Sequence, residues 1–519
     1  DQSCRVDLFP IESQGRRRTD MGQACHTCPC QPVDAVKENG VLVAGGESYA
    51  EILRSKFMPH SQTGKSLDAY DLDGQIGTGS FGSVTQAQLK ATGEARAIKS
   101  IVKEGKRLPS LKREMQVMRE LDHPNIVKLY ESIIDAKMIY LVMELCSGGD
   151  LFSAVTTATA FKETEAANVM LQIFRAIHYM HKKGYCHRDL KPENCMLRTQ
   201  APIAECTIKL IDFGLTCNCV HGPMTTKAGT TYYISPEVLA GNYTESCDMW
   251  SCGIIMYVLH CGYPPFNGRR KNDVVEAVKR GALKFDSRDW GDVSDDAMDL
   301  IKSLLNRSAK KRCTAAQALE HVWTREQAPK ARDISLTNTV GKNLNTFAHQ
   351  NNFQKVVRNA IARHLNEDLI GNLKELFTSM DTDQDGTLSI EEFSKGLEQL
   401  TGSVPDNLAA MVAAIDVDGN NRIEYTELLA AAMDQRHYQE ESVCWSAFRL
   451  FDKDGNGTIN AQELELVLQD PTLGEVMGPV AVSRVMVEHD KNGDGVIDFE
   501  EFLAMMRHHH PNDNHESEN

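Results

Sequence analysis

Residues 187–194 read His-Arg-Asp-Leu-Lys-Pro-Glu-Asn, and Asp212-Phe213-Gly214 follows in the same half of the chain. Within the first stretch, Asp189 is suited to accept the proton of an attacking hydroxyl. Lys191 can neutralise charge on a transferred phosphoryl group. Asn194 and the carboxylate that opens the second stretch offer the oxygen ligands that Mg²⁺ prefers. This order of residue types indicates phosphotransfer chemistry, since separate structural charges would have no reason to follow it.

A glycine-rich stretch lies upstream, where residues 77–84 read Gly-Thr-Gly-Ser-Phe-Gly-Ser-Val. Glycine lets a backbone approach phosphates closely and adopt turns that a Cβ would forbid. Taken alone, this motif fits a tight hairpin equally well. Lys99 follows on a predicted strand at the right distance to meet the phosphates, and Glu114 in the helical stretch 111–121 is its candidate ion-pair partner.

With these motifs, residues 70–323 resemble a eukaryotic protein kinase of the serine/threonine type. The resemblance implies a two-lobed α+β fold that uses ATP and Mg²⁺. It assigns catalysis to Asp189, Lys191, Asn194, Lys99 and Asp212. It assigns nucleotide binding to Ile76, Gly77, Thr78, Gly79, Ser80, Phe81, Gly82, Ser83, Val84, Ala97, Lys99, Glu114, Met143, Glu144, Cys146, Asp150, Asn194 and Asp212.

The same resemblance implies finer roles in the cleft. Met143 is the expected gatekeeper, Glu144 and Cys146 lie in the adenine hinge, and Asp150 should reach the ribose. Glu193 and Asp150 are also suited to read a basic residue upstream of the substrate hydroxyl.

Further along, the resemblance implies contacts that support the catalytic loop. Glu237 is expected to pair with Arg312 at the end of the activation segment. Asp248, Trp250 and Gly253 match the helix that braces the catalytic loop.

Four twelve-residue loops follow, each opening with Asp and closing with Glu, and their starts are 35, 36 and 38 residues apart. Such loops bind Ca²⁺ through oxygens at positions 1, 3, 5 and 12 and a backbone carbonyl at position 7. The first two loops offer Asp381, Asp383, Asp385, Thr387 and Glu392, then Asp416, Asp418, Asn420, Arg422 and Glu427. The last two offer Asp452, Asp454, Asn456, Thr458 and Glu463, then Asp490, Asn492, Asp494, Val496 and Glu501.

Two positions refine this prediction. Position 8 is apolar in every loop, so we expect the loops to join in two pairs through short β bridges at Leu388, Ile423, Ile459 and Ile497. Position 6 is glycine in three loops but Asn421 in the second. Asn tolerates the left-handed conformation better than most residues, so we expect weaker Ca²⁺ binding there, with a purely structural loop as the alternative.

The order of kinase, junction and calcium-binding region resembles the calcium-dependent protein kinases of plants and protists over about residues 70–506. The resemblance implies a Ca²⁺-activated kinase that its junction inhibits, and an all-α calmodulin-like region with four EF-hands after the kinase fold. The expected parts are a flexible arm (1–69), a kinase domain (70–323), a junction (324–370), an EF-hand domain (371–506) and a tail (507–519).

The junction contains an amphipathic helical pattern. Its apolar residues recur every four positions: Phe353, Val357, Ile361 and Leu365. Basic residues fall on its other faces: Lys355, Arg358 and Arg363. Such a helix suits the apolar groove that Ca²⁺ opens in sensor domains. Residues 371–510 carry a net charge of −18, which complements its basic side chains. A helix that merely packs between domains is the alternative.

Other interpretations stay open at this point. The kinase fold could act as a Ca²⁺-responsive pseudokinase scaffold, although no catalytic residue is missing, or the enzyme could be constitutive with structural Ca²⁺. Thr226 is either a phosphorylation site that pairs with Arg188 or an unmodified residue. Ser335 lies in a weak basic-directed phosphosite pattern.

Length and composition limit the remaining possibilities. The 519 residues exceed one core, since single cores stop growing near about 250–300 residues. No apolar run approaches the roughly 20 residues that span a bilayer, and nucleic acid is not an expected partner. The fifteen cysteines, without a secretory signal, indicate reduced thiols in a cytoplasmic protein. We expect a monomer that phosphorylates protein substrates.

The amino-terminal arm carries a candidate membrane anchor. If translation starts at Met21, Gly22 is a myristoyl acceptor, with Cys25, Cys28 and Cys30 as palmitoylation candidates. His26 departs from the acylation pattern, and the residues before Met21 would block the signal. A metal site at these cysteines is the alternative, and the histidines at 508–510 are expected to be a solvated tail.

Overall fold

The computed structural model describes twelve stretches of the chain, residues 61–63, 67–79, 82–103, 108–157, 161–220, 222–268, 270–327, 339–365, 371–405, 407–417, 419–468 and 479–507. Several predictions fall outside them. These are the acylation sites at Gly22 and the nearby cysteines, the Ser335 phosphosite and the histidines at 508–510.

A six-stranded sheet forms the first part of the described chain, in the order β1-β5-β6-β4-β3-β2. Its elements are β1 (Ser61–Thr63), β2 (Tyr70–Gly79), β3 (Gly82–Leu89), β4 (Ala95–Val102), helix α1 (Leu108–Glu120), β5 (Leu129–Ile134) and β6 (Met138–Glu144). All neighbouring strands are antiparallel except β1 and β5. Lys99 lies in the middle of β4, between Val84 and Leu141 on the adjacent strands.

The short strand β1 corrects one prediction. It lies within residues 1–69, which the sequence analysis assigned to a flexible arm, yet it pairs with residues Ser132–Ile134 of β5. The short 3₁₀ turn Leu67–Ala69 follows it. Three residues that join a sheet through backbone hydrogen bonds leave no apolar periodicity, so no sequence pattern indicated this strand.

A helical part follows the sheet. Its elements are α2 (Leu151–Thr157), α3 (Glu163–Lys182), β7 (Tyr185–Cys186), β8 (Cys195–Leu197), β9 (Ile208–Leu210), β10 (Cys217–Asn218), α4 (Pro236–Ala240), α5 (Ser246–Cys261), α6 (Lys271–Arg280), α7 (Ser287–Trp290), α8 (Asp295–Leu304), α9 (Ala315–Glu320) and α10 (Val322–Gln327). A 3₁₀ turn, Pro192–Asn194, lies between β7 and β8. Two helices form its centre, since α5 is buried from Cys247 to Leu259 and α3 along most of its length. The sheet and these helices together confirm the predicted two-lobed α+β fold.

The remaining described chain is almost wholly helical. It comprises α11 (Thr339–His349), α12 (Asn352–His364), α13 (Gly371–Met380), α14 (Ile390–Thr401), α15 (Leu408–Ile415), α16 (Tyr425–Ala432), α17 (Gln435–Tyr438), α18 (Glu441–Phe451), β11 (Thr458–Asn460), α19 (Ala461–Leu468), α20 (Pro479–His489), β12 (Val496–Asp498) and α21 (Phe499–Arg507). Helix–loop–helix units recur through it, as the spacing of the acidic loops predicted.

Helix α12 is the predicted amphipathic helix of the junction, and it packs against α16 and α18. All four of its periodic apolar residues are buried, with Phe353 and Ile361 each 1% exposed. The Phe353 ring lies edge-on to Phe451 and Phe502, with ring centroids 5.5 and 6.4 Å away. The helix therefore occupies the apolar core of the EF-hand region.

Arg358 lies on one of the other faces of this helix, yet its side chain is buried, which the sequence pattern did not predict. Its side chain is 1% exposed and stacks 4.2 Å over the Tyr438 ring. It donates hydrogen bonds to the carbonyls of Ala431 and Met433, at 3.3 and 3.4 Å. Burial lowers the pKa of Arg358 to about 10. Helix α12 is therefore buried on more of its faces than an amphipathic pattern implies.

In the described part of the chain, no helix combines the length and the apolar character needed to cross a bilayer. Each described cysteine is a free thiol.

Phe353→Ala should weaken the attachment of α12 to the EF-hand region. Replacing a buried Phe by Ala typically costs about 3–5 kcal/mol, since apolar contacts are lost and a cavity is left. Hydrogen exchange of the α12 amides in the Ca²⁺-loaded protein should show a local opening free energy lower by about that amount. Val487→Ala is the control, because Val487 is 85% exposed and should change it by less than about 0.5 kcal/mol. Unchanged α12 protection in Phe353→Ala would contradict this packing.

Candidate functional site

The Asp189 carboxylate is held from two sides. The Thr230 hydroxyl donates to Asp189 Oδ1 at 2.7 Å, and the Lys191 ammonium donates to Asp189 Oδ2 at 2.8 Å. Lys191 also donates to the Thr230 hydroxyl at 3.2 Å. The Asn194 amide donates to the Asp189 carbonyl at 2.8 Å. A carboxylate fixed in this way is suited to orient a hydroxyl and accept its proton.

Lys99, Glu114 and Asp212 form a second group of charged side chains. The Lys99 ammonium lies 2.7 Å from Glu114 Oε1 and 3.7 Å from Asp212 Oδ1. Burial disfavours the charged ammonium, but the two carboxylates outweigh it and raise the pKa of Lys99. The lysine is therefore a fixed positive charge, and strand β4 and helix α1 meet at the predicted ion pair.

The buried Asp248 carboxylate holds the backbone of the catalytic loop. Asp248 is fully buried on α5 and accepts hydrogen bonds from the backbone N–H groups of His187 and Arg188, both at 2.8 Å. Arg188 takes a left-handed φ of 68°, which costs energy outside glycine and needs such support. The brace predicted for Asp248 is confirmed, and Gly253 on the same helix leaves no room for a Cβ beside Leu304 and Leu305.

The nucleotide side of the cleft fits its predicted ligand. A Cβ on Gly82 would lie 1.8 Å from the Ser100 carbonyl, so only glycine can occupy this position of the phosphate loop. Asp212 and Asn194 supply the carboxylate and amide oxygens that suit Mg²⁺. Met143 lies on β6, Cys146 lies in the hinge after that strand, and Ala97 lies on β4. Ser80 and Phe81 fall outside the described residues.

Two predicted nucleotide residues have other side-chain partners. The buried Glu144 carboxylate pairs with Lys209 at 3.0 Å and Arg198 at 3.4 Å, so its side chain joins the hinge to the helical lobe. The Asp150 carboxylate accepts hydrogen bonds from the Ser153 N–H and hydroxyl, at 2.7 and 2.9 Å. It thereby caps α2 in this arrangement.

The activation segment ends at its predicted anchor. Glu237 and Arg312 form the expected ion pair, with Arg312 Nη2 3.0 Å from Glu237 Oε2. Thr226 is exposed, and its carbonyl accepts a hydrogen bond from the Tyr243 hydroxyl at 2.5 Å. Arg188 donates to the same hydroxyl at 3.2 Å, so Thr226 lies near the arginine that a phosphate there was predicted to pair with. Its modification stays a prediction.

The four calcium loops repeat one hydrogen-bond pattern. In each, the N–H of position 6 donates to the Asp at position 1, at distances of 2.8–3.0 Å. The N–H of position 2 donates to the Glu at position 12, at 2.8–2.9 Å. These contacts fold each loop so that its acidic side chains converge. Asp418, at position 3 of the second loop, lies outside the described residues.

The predicted pairing of the loops is confirmed. Leu388 and Ile423 form a bridge with backbone hydrogen bonds of 2.8 and 2.9 Å, and Ile459 pairs with Ile497 between β11 and β12. Ligand oxygens of Asp381, Asp383 and Asp385 lie within 4.8 Å of one another, as do those of Asp452, Asp454 and Glu463.

This crowding of carboxylates in the first loop has an electrostatic cost. Burial is the main cause that raises the pKa of Asp381 to about 8, and the neighbouring carboxylates Asp385 and Glu392 add to it. A bound Ca²⁺ would offset this charge, so the donor set fits the hard divalent cation that the spacing predicted.

The second loop differs from the others at two positions. Asn421 takes a φ of 60°, so it adopts the left-handed conformation expected of it. Arg422, whose carbonyl was the predicted ligand, turns its side chain to the first loop. Its guanidinium donates to Asp385 Oδ2 at 2.9 Å and to the Thr387 hydroxyl at 3.0 Å. A cation of the second loop therefore contacts a ligand of the first.

The first calcium loop also lies against helix α3 of the kinase fold. Arg175 donates to Gln384 Oε1 at 2.7 Å. A Cβ on Gly386 would lie 2.6 Å from the Tyr179 ring and 2.9 Å from the His123 ring. We call this contact between the first EF-hand pair and α3 the rear interface.

Three further contacts extend the rear interface. Lys183 pairs with Glu424, the Thr426 N–H donates to Asp122 at 2.8 Å, and Lys374 donates to the Thr207 hydroxyl at 2.6 Å. One ion pair and two further hydrogen bonds therefore join the two parts of the chain, with charged groups contributed from both sides.

Sequence reasoning missed three functional features. Thr230 follows Gly229 in the activation segment, and its spacing from the catalytic loop could have suggested a contact. The side-chain role of Arg422 carried no signal, because position 7 was interpreted only through its carbonyl. The rear interface, with Arg175 and Tyr179, joins residues too distant along the chain for any periodicity to reveal.

Comparisons with known proteins agree with this geometry. Residues 70–324 match the protein kinase domain family, and residues 372–433 and 441–507 match the EF-hand domain pair family. The chain is 40% identical over 446 residues to calcium-dependent protein kinase 5 of Plasmodium falciparum, covering 85% of this chain and 78% of that protein. It is 36% identical over 522 residues to calcium-dependent protein kinase 17 of Arabidopsis thaliana, covering 96% and 97%.

Thr230→Val should slow phosphotransfer, because it removes the hydroxyl that orients Asp189 while keeping the side-chain shape. Small misplacements of reacting groups cost up to about 100-fold in rate, so we expect kcat to fall about 10- to 100-fold with KM for ATP unchanged. Thr230→Ser restores the donor and should stay within about threefold of wild type. Equal kcat values in Val and Ser variants would rule out this positioning role.

Arg422→Gln should tighten Ca²⁺ binding at the first EF-hand pair. The substitution removes a cation that competes for Asp385, and a charged hydrogen bond at a part-exposed site is worth about 1 kcal/mol. Calorimetric Ca²⁺ titration should therefore show about fivefold higher affinity at one class of sites. Arg422→Lys, which keeps the charge, is the matched control. Weaker binding by the Gln variant would contradict the competition.

Proposed function

Because this chain belongs to the calcium-dependent protein kinases, we propose that Ca²⁺ switches it on by seating the first EF-hand pair against α3. The chain is a Ca²⁺-activated serine/threonine protein kinase that transfers the γ-phosphate of ATP to proteins and uses Mg²⁺. The observation that carries the proposal is the coexistence of an assembled catalytic centre with the rear interface.

The catalytic roles follow from the contacts around Asp189. This carboxylate orients the substrate hydroxyl and accepts its proton, while Thr230 and Lys191 fix its two oxygens. Lys99 holds the α- and β-phosphates, and Glu114 holds Lys99. Asn194 and Asp212 would hold Mg²⁺, which would neutralise the charge of the phosphates.

The junction acts through helix α12, which binds either the EF-hand core or the kinase. With α12 enclosed in the EF-hand core, Phe353 and Ile361 are buried and cannot hold the kinase inactive. When Ca²⁺ leaves, sensor-type helix pairs close, and the released helix becomes available to inhibit the kinase. Helix α13, which begins the first EF-hand unit, also contacts α16, so release of α12 and loss of the rear interface involve the same helices.

The charges on both sides of the rear interface support this proposal. Helix α3 and its surroundings present Arg175 and Lys183 to a region with a net charge of −18 over residues 371–510. Ca²⁺ organises the loop that carries Gln384 and Gly386, and these two residues contact α3 directly. Loop geometry and docking are therefore coupled.

The substrates we propose carry a basic residue before the target Ser or Thr. Glu193 is exposed beside the catalytic loop, and Asp150 stands at the start of α2 with its carboxylate on Ser153. Two acidic groups near the hydroxyl-binding site favour a basic side chain. We also propose a monomer, and peripheral membrane attachment through acylation at Gly22 with a second acyl chain at Cys25, Cys28 or Cys30, since one chain binds only marginally.

A Ca²⁺-responsive scaffold without phosphotransfer is the other candidate function. The Lys99–Glu114 ion pair and the doubly held Asp189 argue against it, because a scaffold has no need for either. Turnover of ATP in excess Ca²⁺ and in excess chelator separates the two. The kinase we propose transfers phosphate only with Ca²⁺, whereas the scaffold transfers none in either condition.

Arg175→Glu should uncouple the enzyme from Ca²⁺. The change removes the hydrogen bond to Gln384 and places a negative charge against the acidic first loop, which opposes docking. Because hydrogen bonds of charged groups contribute about 1.5–3 kcal/mol, we expect activity in saturating Ca²⁺ about 10- to 100-fold lower, with unchanged ATP affinity.

The control is Arg280→Glu, an equal charge change at an exposed residue of α6. It should keep wild-type activation. A second check is Phe353→Asp with Ile361→Asp, which places charge in the EF-hand core and should also abolish Ca²⁺ dependence. Wild-type Ca²⁺ dependence in Arg175→Glu would reject the rear interface as part of the switch.

A further inference from the structure

A group of thiols lies directly behind the catalytic loop. Cys186 ends β7, one residue before His187, and Cys247 lies on α5, one residue before Asp248. Their Sγ atoms are 3.5 Å apart, and both side chains are buried, at 0% and 5% exposure. Cys217, half-buried on β10, stands opposite Cys186 in the antiparallel pair of strands. We call Cys186, Cys217 and Cys247 the thiol cluster.

We propose that Cys186 and Cys247 are a redox-modification site, at which a peroxide forms a disulfide that lowers phosphotransfer activity. The geometry points to this pair because the Sγ atoms are already in van der Waals contact. A disulfide bond is about 2.05 Å long, so the two sulfurs would have to approach by about 1.5 Å.

The reaction balances with hydrogen peroxide as oxidant. One thiolate attacks a peroxide oxygen, the O–O bond breaks, and the sulfur becomes a sulfenic acid while hydroxide leaves and takes up a proton as water. The second thiolate then attacks that sulfur, the S–O bond breaks, and a second water leaves. Two thiols and one peroxide give one disulfide and two waters.

Cys217, the half-buried thiol of the cluster, is the one that the oxidant can reach. Burial raises the pKa of Cys186 well above its ordinary value, which slows direct reaction there. At Cys217 burial also raises the pKa, but the nearby Arg188 guanidinium opposes this effect. The Cys217 sulfur contacts Met224 Sδ at 2.9 Å. The Cys186 thiolate then attacks a sulfenic acid formed at Cys217, the S–O bond breaks, water leaves and a Cys217–Cys186 disulfide forms. The Cys247 thiolate attacks Cys186, the Cys217–Cys186 bond breaks, and Cys217 leaves as a thiol while the Cys186–Cys247 disulfide remains.

The location of the pair links its oxidation to activity. The residues that follow Cys186 donate the two backbone hydrogen bonds to Asp248, each 2.8 Å long, and Asp248 itself follows Cys247. Shortening the distance between the sulfurs must shift β7 against α5, and with them the loop that carries Asp189. The thiols touch neither nucleotide nor hydroxyl, so they act by positioning.

The alternative is that Cys186 and Cys247 are only small apolar core residues, packed with Val238 and Tyr243. It predicts no disulfide and no special effect of oxidant. Small buried cysteines are common, but two in sulfur contact, each adjacent to a residue of the catalytic brace, are not required for packing.

The test uses the full chain with Ca²⁺, treated with hydrogen peroxide and then assayed. We expect kcat to fall about 10- to 100-fold, KM for ATP to stay unchanged, and dithiothreitol to restore activity. Peptide mapping without reductant should recover a linked pair of peptides that contain Cys186 and Cys247. This mapping is independent of the proposed Ca²⁺ switch, so failure of one does not imply failure of the other.

Variants separate this pair from the other thiols. Cys247→Ala should keep its reduced-state activity and lose less than about twofold on peroxide treatment, whereas Cys261→Ala, on the same helix, should respond like wild type. Cys186→Ala repeats the test if Cys247→Ala folds poorly. A loss in Cys247→Ala equal to wild type, a link that omits either cysteine, or recovery by a metal chelator instead of dithiothreitol would overturn the proposal.

Discussion

The buried Asp248 carboxylate holds the catalytic centre together. Placing a charge at 0% exposure carries a desolvation cost, which only a full set of partners offsets. Asp248 receives two backbone N–H groups and a contact from His181 Nε2 at 3.0 Å. Although burial alone would raise it, these partners keep the pKa of Asp248 below its ordinary value. The strained backbone at Arg188, and with it the position of Asp189, depends on this one group.

Charge distribution gives the two halves of the chain different tasks. The kinase part keeps its carboxylates paired, as in Glu114 with Lys99 and Glu237 with Arg312. The calcium-binding part instead gathers carboxylates whose mutual repulsion is relieved by a cation. Arg422, in contact with Asp385, is an internal cation at such a site. A region built around unrelieved negative charge has a geometry that depends on ion occupancy, which is what a sensor requires.

The sequence was most informative where function demands fixed residue types at fixed spacing. Phosphotransfer needs its carboxylate, lysine and amide in order, and Ca²⁺ loops need oxygens at set positions, so both folds could be predicted from these residues. Arg358 could not be placed correctly, because helical periodicity describes one partner surface and this helix has several. Thr230 and Arg422 owe their roles to contacts between segments, which a local pattern does not encode.

Helix α3 shows why such contacts between segments matter most for regulation. Along one helix of twenty residues, Arg175 and Tyr179 meet the first calcium loop, and His181 contacts Asp248 two residues further on. Close-packed interiors transmit strain, and this helix is buried along most of its length. Any displacement that loop occupancy imposes at Tyr179 must therefore also reach the group that orients the catalytic loop. Since Cys247 adjoins Asp248, the proposed ion-dependent switch and the proposed thiol oxidation would both act on the same brace.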